Sequence, residues 1–311
     1  MVNNMKNHAF LIIAHKQPKL LARTLSVLEA SNHHFFINVD AKSSCFSEFY
    51  NMIGGGKIQN VHFLKKRIAC YWAGISLVDV EIELMKAAKS FPVLFDYYHL
   101  ISGQDYPLRS NEQFDAFFES TEDSFMCFNF EKDIDYWMPI YKMKTSQFYT
   151  NGTHSWSERL YLKMVNNRFS RKLIKRKTIP NLAGGWQWFS WSANVVDYVL
   201  NYLSENPGFR RRFNHTSSPD EHFFTTMLYS HLDELHIRKH FPLRYISWEP
   251  YRPIAQKHRP YNLEEFDYNR VINSAAFFCR KVDEVESAKF LDMVDAQRNN
   301  HYEITEHNYF I

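Results

Sequence analysis

Short apolar runs alternate with helical patterns along the amino-terminal part of the chain. The run from Ala9 to Ala14 predicts a buried strand, and leucines at helical spacing between Pro18 and Glu29 predict a helix. The apolar run from Phe35 to Val39 predicts the next strand. A strand, a helix and a second strand in this order form a βα unit, which favours a parallel sheet.

The same alternation continues further along the chain. Strands are predicted from Val61 to Leu64 and from Tyr97 to Ile101, and helices from Ile75 to Lys89 and from Asn111 to Glu119. Together these elements predict an α/β fold with a mostly parallel central sheet. Ligands of such sheets bind beyond the carboxyl ends of the strands, so the residues that follow each strand are candidates for a site.

Polar residues follow three of the predicted strands: His15, Asp40 and the turn from Ser102 to Asp105. An acid at a strand end can accept hydrogen bonds from the ribose or the base of a nucleotide, and we expect this role for Asp40. The alternative is that Asp40 closes its strand through an Asx-turn, because the residues after it are typical of turns.

Composition limits the classes of function. With 311 residues, 45% hydrophobic and 17% aromatic, the chain can bury a large core, and we expect one domain over residues 1–311. A formal net charge of +3 is far from the basicity of nucleic-acid-binding proteins. Four widely spaced cysteines match neither a zinc site nor a disulfide framework, so we expect reduced core thiols at Cys45, Cys70, Cys127 and Cys279.

The best candidate for a catalytic base lies in the string from Ser218 to Thr226. Glu221 is expected in the first turn of a helix, with aromatic residues directly behind it. The structural alternative is a capping box, in which Ser218 caps the helix and the Glu221 side chain folds back to the backbone of the cap. For the adjacent Asp220 we expect a structural contact, because neighbouring helical side chains diverge.

Eight short strings, each weak alone, follow one another in the order of a known family. The chain resembles the core-2/I-branching β-1,6-N-acetylglucosaminyltransferases and the related peptide O-xylosyltransferases over nearly its whole length. The most specific string runs from Leu100 to Leu108. The others are Ala14 to Pro18, Ile37 to Asp40, Trp72 to Val78, Trp186 to Ser190, Ser218 to Phe224, Leu243 to Trp248 and Phe277 to Asp283.

The resemblance implies a GT-A-type, Rossmann-like fold, with a donor-nucleotide half of about residues 1–130 and an acceptor and catalytic half of about residues 131–311. It implies an inverting glycosyltransferase that moves a sugar from a UDP-sugar to a glycan hydroxyl and forms a β-linkage, as in polysaccharide biosynthesis. UDP-N-acetylglucosamine is the expected donor and UDP-xylose the alternative. A non-catalytic glycan- or nucleotide-binding protein on the same scaffold is a further alternative.

The resemblance also assigns roles to single residues. It implies that Glu221 is the catalytic base. Arg259 and Lys281 are expected to neutralise the departing UDP in place of a metal. Arg252 or Arg280 could take the role of Arg259. The remaining donor-binding positions are His15, Asp40, Trp72, Ser102 and Asp105.

Some of these positions have plain structural alternatives. Without the resemblance, Trp72 is interpreted as a core residue and Asp105 as part of a turn. The acceptor-binding candidates are Trp186, Trp188 and Trp248, because a sugar stacks on exposed rings, although two of the three can belong to the core.

Two further motifs compete with this account. Asp133 and Asp135 form a D-x-D motif that could bind a divalent metal, but it lies outside the strings that match the family, so no metal or other cofactor is expected. The run Gly54 to Lys57 lacks the spacing of a phosphate-binding loop and predicts a flexible turn.

The segment Arg159 to Lys177, called the basic segment below, contains eight Lys and Arg residues and no acid. It predicts a solvated helix pair or loop beside the acceptor cleft, or alternatively a surface that docks on anionic lipid near a glycolipid acceptor. The chain begins its first strand almost at once, and the run from Ala9 to Ala14 is far shorter than the ~18 residues of a membrane span. The family's animal members are anchored Golgi proteins, so we expect a bacterial-type, cytoplasmic enzyme, at the inner face of the membrane if the segment binds lipid.

Overall fold

The computed structural model describes residues 5–128, 134–149, 155–173, 179–239, 241, 243–248 and 260–299. The strands are β1 (His8–Ala14), β2 (His33–Val39), β3 (Val61–Phe63), β4 (Tyr97–Ser102), β5 (Asp105–Pro107), β6 (Ser124–Phe128), β7 (Gly185–Ser192), β8 (Ile237–Arg238), β9 (Arg244–Ile246) and β10 (Phe278–Arg280). The helices are α1 (Pro18–Leu28), α2 (Phe46–Ile53), α3 (Ser76–Lys89), α4 (Asn111–Glu119), α5 (Ile134–Ser146), α6 (Trp156–Val165), α7 (Arg168–Leu173), α8 (Ala193–Glu205), α9 (Gly208–Arg212), α10 (Phe223–Leu228), α11 (Tyr268–Ile272) and α12 (Ala288–Asn299).

The main sheet has the strand order β3-β2-β1-β4-β7-β6-β8 within the described residues. Strands β3, β2, β1 and β4 are mutually parallel, and β7 is antiparallel to both of its neighbours. The sheet therefore has the mostly parallel α/β architecture predicted from the sequence. It combines β1 to β4, from the first third of the chain, with β6, β7 and β8, which come later in the sequence.

Both faces of the sheet are buried, as the residues of β1 illustrate. Ala9 and Leu11 face a core that includes α3 and α8, whereas Phe10 and Ile12 face a core that includes α1, α2 and α4. Successive strand residues point to opposite faces, and a strand covered on both faces is therefore mostly apolar. That is why β1 is apolar from Ala9 to Ala14 and why Phe35 to Ile37 form an apolar run in β2.

A small second sheet, β5-β10-β9, forms the base of a third core. Its residues Tyr106 and Cys279 pack with Leu20 of α1 and with Phe290 and Leu291 of α12. Because β5 follows β4 after two residues, this sheet sits at the carboxyl end of β4. The sequence strings around β5 and β10 are thereby brought to the same edge of the main sheet.

The elements predicted for the amino-terminal part are confirmed within two residues at each end, and α4 begins and ends as predicted. Local signals explain α4, since the Ser110 hydroxyl accepts a hydrogen bond from the backbone of Gln113 in a capping box. The run from Gly54 to Lys57 is a turn, as expected, with Gly55 and Gly56 at positive φ. The four thiols are free. Cys279 is fully buried, Cys45 and Cys70 are partly buried against the two main cores, and Cys127 is also partly buried.

The basic segment forms part of a helix pair, α6 and α7, up to Leu173; its last residues lie outside the described ranges. Helix α6 buries none of its residues. No helix in the described ranges is both long enough and apolar enough to span a bilayer.

Candidate active site

The carboxyl ends of three parallel strands meet at one rim. The backbone N–H of Asp40 donates to Ala14 O at 2.8 Å, and Gly103 N–H donates to Ile13 O at 3.0 Å. The hydroxyl of Ser43 donates to the carbonyl of His15 at 2.8 Å. The residues predicted to follow the strands, His15, Asp40 and Ser102 to Asp105, are therefore neighbours.

The carboxylate of Asp40 has both local and distant partners. Its Oδ1 accepts from the backbone N–H of Lys42 at 2.9 Å, which is the Asx-turn alternative, and from Cys70 N–H at 3.3 Å. Its Oδ2 pairs with Lys42 Nζ at 2.7 Å. The side chain is thus held at the rim by its own turn and by the loop before α3.

Asp105 organises the turn between β4 and β5 from a fully buried position. Its carboxylate accepts from the Ser102 backbone at 2.8 Å and from the Ser102 hydroxyl at 3.0 Å. A guanidinium nitrogen of Arg280 lies 3.4 Å away, and burial lowers the pKa of Arg280, which the charge of Asp105 counteracts. Asp105 therefore stabilises the turn, as the structural alternative predicted. Contact between Asp105 and a nucleotide stays a prediction.

Lys281 follows β10 and reaches the same rim. Burial lowers the pKa of His15, and the positive charges of Lys16 and Lys281 lower it further, so these cations lie near the imidazole. The Val282 N–H donates to Gln104 O at 3.0 Å, which joins the β10 loop to the β4–β5 turn. Arg259 and Arg252, the predicted partner of Lys281 and one of its substitutes, lie outside the described residues.

Glu221 lies in a 3-10 turn, Pro219–Glu221, and not in the first turn of an α-helix. Ser218 has φ of 49° and makes no side-chain cap, so the capping-box alternative for Glu221 is wrong. The Glu221 carboxylate instead accepts a hydrogen bond from Lys144 Nζ in α5. Its side chain is 37% exposed, against 20% for Lys144.

Two buried carboxyl groups lie behind this turn. Burial raises the pKa of Asp220 to about 7, and the charge of Glu221 adds to the effect. Burial also raises the pKa of Glu81 in α3 well above its usual value; Asp220 raises it further, while the hydrogen bond from Gln187 at 2.5 Å opposes the shift. The carboxyl Oδ1 of Asp220 has no hydrogen-bond partner among the described residues, so the expected structural contact is absent on that side.

Three residues at this site, Glu81, Gln187 and Lys144, were not predicted from the sequence. Glu81 did carry a signal, because it stands among the apolar positions of α3 at helical spacing from Val78 and Met85, where an acid is unusual. The pairing of Lys144 with Glu221 joins residues far apart in the chain and has no local signal.

A single loop connects the rim to the Glu221 turn. Cys70 contacts Asp40, and Ala73 O accepts from Ser218 N–H at 2.8 Å. Ala73 is three positions after Cys70, which limits the distance between their Cα atoms to about 11 Å. Trp72 in this loop is 70% exposed, so its interpretation as a core residue is wrong.

The three tryptophans predicted for the acceptor site differ in exposure. Trp248 is 52% exposed, and Trp186 and Trp188 are half-buried in β7. The guanidinium of Arg280 lies over the Trp188 ring, 3.8 Å from its centroid. Asp133 and the side chain of Asp135 lie outside the described residues, so the D-x-D alternative is not tested.

Solved structures and curated proteins provide comparisons. The crystal structure of mouse xyloside xylosyltransferase 1, apo form, covers 89% of this chain at 13% identity with a TM-score of 0.37, too weak a likeness to support an inference. Xylosyltransferase 2 of Pan troglodytes is 23% identical over 92% of this chain and 33% of its own length. Xylosyltransferase 1 of Rattus norvegicus is 24% identical over 94% of this chain and 36% of its own length.

This chain therefore spans about a third of the length of those curated relatives. The family model for the Core-2/I-Branching enzyme matches residues 8–272, from the first residue of β1 to the last residue of α11. That range includes the rim strands, the loop with Trp72 and the Glu221 turn. Since the match takes in most of the sequence, the chain belongs to the Core-2/I-branching enzyme family.

Proposed function

We propose that this protein is an inverting glycosyltransferase that moves a sugar from a UDP-sugar to a hydroxyl of a glycan and forms a β-linkage. One observation carries the proposal: the partly exposed carboxylate of Glu221 stands in a turn that one loop links to Asp40 at the rim of the sheet. Such rims bind nucleotides in open α/β sheets. Family membership supports the same function.

In the proposed donor site, the nucleotide lies along the rim. Asp40 accepts hydrogen bonds from the ribose or from the uracil N–H, exchanging part of its contact with Lys42 for them. His15 and Ser102 line the adjacent strand ends, and the exposed ring of Trp72 covers the donor. Asp105 supports this surface from below by fixing the backbone of Ser102.

The departing UDP requires positive charge. We assign this role to Lys281 and Arg259, because two fixed cations can stabilise the charge that develops on a diphosphate as a divalent metal would. Lys281 lies close enough to the rim for its charge to add to the lowering of the His15 pKa by burial and by Lys16. The assignment of Arg259 rests on the sequence resemblance, and no metal is part of the proposed mechanism.

Glu221 acts as the general base. It takes the proton from the acceptor hydroxyl while that oxygen bonds to the anomeric carbon, and the bond from that carbon to the UDP oxygen breaks on the opposite face. One displacement inverts the anomeric configuration. Before the acceptor binds, Lys144 pairs with the carboxylate and neutralises its charge.

The acceptor site is assigned to three aromatic rings, two of them on β7, which contacts the Glu221 turn. Trp248 offers an exposed face on which a sugar can stack, and Trp186 and Trp188 offer half-buried faces. The face of Trp188 beneath Arg280 is already covered, so its opposite face or its edge remains for a sugar.

The donor sugar has two candidates. UDP-N-acetylglucosamine is the donor expected from the sequence resemblance, whereas the curated relatives described above are named xylosyltransferases, which favours UDP-xylose. These relatives are about a quarter identical to this chain or less over the aligned residues, so both sugars must be tried.

A screen of UDP-sugars tests the proposal and separates it from a non-catalytic binding protein. At a hundredfold its dissociation constant, a bound donor should add roughly 2.7 kcal/mol to the free energy of unfolding, whereas GDP-mannose should not. The stabilising donor should then release UDP when glycan acceptors are added. Stabilisation without UDP release from any acceptor would favour the binding protein, and no stabilisation by any UDP-sugar would contradict the proposed site.

A further inference from the structure

Two histidines and an aspartate meet at the amino-terminal edge of the main sheet, opposite the rim. His8 begins β1 and His33 begins β2, and the parallel register places them side by side. Both are fully buried, and Asp115 of α4 reaches them with a side chain that is 17% exposed. One nitrogen from each imidazole and one carboxylate oxygen lie within 4.8 Å of one another.

The distances among these atoms are close to those around one small cation. His33 Nε2 lies 2.8 Å from Asp115 Oδ1, and His8 Nε2 lies 3.6 Å from the same oxygen. Two ligands that bind one zinc ion tetrahedrally at about 2.1 Å are about 3.4 Å apart. The two observed distances lie on either side of that value.

The hydrogen-bond partners of His33 require a proton or a metal ion between its ring and Asp115. Its Nδ1 lies 2.7 Å from Leu28 O, and a carbonyl oxygen can only accept, so Nδ1 carries a proton. In the neutral ring Nε2 is then an acceptor that faces the acceptor Oδ1 of Asp115. A proton or a metal ion must therefore lie between these two atoms.

His8 supplies an independent observation. Its Nε2 is buried and has no hydrogen-bond partner among the described residues. Its Nδ1 lies 3.0 Å from His99 Nε2, and His99 Nδ1 lies 2.8 Å from the Ser190 hydroxyl. If each ring donates along this chain towards Ser190, His8 Nε2 presents a bare lone pair to Asp115 and His33.

Metal-binding histidines usually donate their second ring N–H to a carbonyl or another fixed acceptor, as His33 does to Leu28 and as His8 can do to His99.

We propose that His8, His33 and Asp115 bind one Zn²⁺ ion, with a water molecule in the fourth position on the partly exposed side of Asp115. Two imidazoles and a carboxylate suit this metal. The ion joins β1, β2 and α4 and stabilises the fold. Seven residues of β1, at about 3.3 Å each, separate it from the rim by about 20 Å, so it takes no part in sugar transfer.

Metal analysis of the whole chain tests the proposal. Protein stripped with a chelator and dialysed should take up one Zn²⁺ per chain and melt at a higher temperature, and Co²⁺ as a probe should give visible absorption bands of a tetrahedral or five-coordinate site. Asp115→Asn should weaken zinc binding by more than about 100-fold, beyond the loss that outer-sphere partners cause. Glu119→Gln on the same helix should leave binding unchanged.

His8→Gln serves as a second variant and should also remove the cobalt bands. If the wild-type protein takes up no zinc at micromolar concentration and gives no cobalt bands, the proposal is wrong and the cluster is a buried ion pair of His33 and Asp115. Zinc binding that both variants retain would place the metal elsewhere and overturn the assignment. The wild-type measurements need no variant, so misfolding of a variant does not decide the outcome.

Discussion

Lys144 Nζ in α5 donates a hydrogen bond to Oε2 of Glu221, in a turn 77 residues further along the chain. The same ammonium group lowers the pKa of Asp220 and of His222, although burial dominates both shifts. Lys144 is therefore a positive charge set among the acidic groups of this turn. An acceptor hydroxyl that approaches Glu221 must displace this contact or share the carboxylate with it.

Removing the charge of Lys281 tests its proposed role in stabilising the departing UDP. Lys281→Ala should weaken UDP binding and lower kcat by about 10²-fold, the scale expected for one lost electrostatic contact in the transition state. Lys289→Ala, an exposed lysine on α12, should change neither. UDP binding and kcat that stay at wild-type values in Lys281→Ala would remove Lys281 from the mechanism.

The proposed metal independence predicts that transfer survives excess EDTA, because Lys281 and Arg259 are proposed to supply the charge that a metal would. The assay should run well below the melting temperature, since loss of the proposed zinc at His8 lowers stability without changing the rate. Activity abolished by EDTA and restored by Mn²⁺ would point instead to Asp133 and Asp135.

The buried Asp220 predicts a pH dependence of stability. Its pKa is raised from 3.8 to about 7 in the folded protein, so between these values the folded state holds a proton that the unfolded state has lost. The free energy of unfolding should therefore fall as the pH rises from about 4 to 7. Glu81 acts in the same direction.

Asp220→Asn removes this contribution, so its free energy of unfolding should fall less than that of the wild type over the same pH range. Denaturant titrations at several pH values measure the difference. Parallel curves for the two proteins would mean that Asp220 is ionised in the folded state.

Helix α6 supports the proposal that the basic segment binds anionic membranes. Trp156 and Met164 are 79% and 53% exposed at helical spacing, and Phe169 of α7 is 71% exposed. Apolar rings beside basic residues are typical of helices that lie in a membrane interface. The protein should bind anionic vesicles at low salt, with each basic residue near the surface contributing ~1 kcal/mol, and the binding should fade as salt rises.

Replacement of five basic residues by Ser or Gln should release the protein from vesicles without affecting transfer to a small soluble acceptor. These residues are Arg171, Lys172, Lys175, Arg176 and Lys177. The double variant Lys57→Gln, Lys289→Gln is the control and should bind as the wild type does. Absence of co-sedimentation at ~50 mM salt, where screening is weaker than at physiological strength, would contradict the membrane proposal.

Local patterns predicted the amino-terminal elements well, because the apolar residues of β1 and the leucines of α1 are the residues that these elements bury. The Glu221 turn was predicted less well. Ser218 donates its N–H to Ala73 O in a distant loop and takes up φ of 49°, which ends the α-helical geometry that the string Ser-Pro-Asp-Glu favours. Hydrogen bonds of this kind join residues far apart in the chain, so the neighbouring sequence does not predict them.

The variant Glu221→Gln tests most directly the proposal that Glu221 is the base of a UDP-sugar-dependent transfer. The amide keeps the size of the side chain, so folding and donor binding should persist while kcat for transfer falls by about 10²-fold or more. Glu234→Gln, which alters an exposed glutamate paired with His231, is the matched control and should keep full activity. The measurement is UDP release from the stabilising donor in the presence of acceptor, with the melting temperature as a check on folding. A Glu221→Gln protein that folds, binds donor and transfers sugar at nearly the wild-type rate would contradict the account.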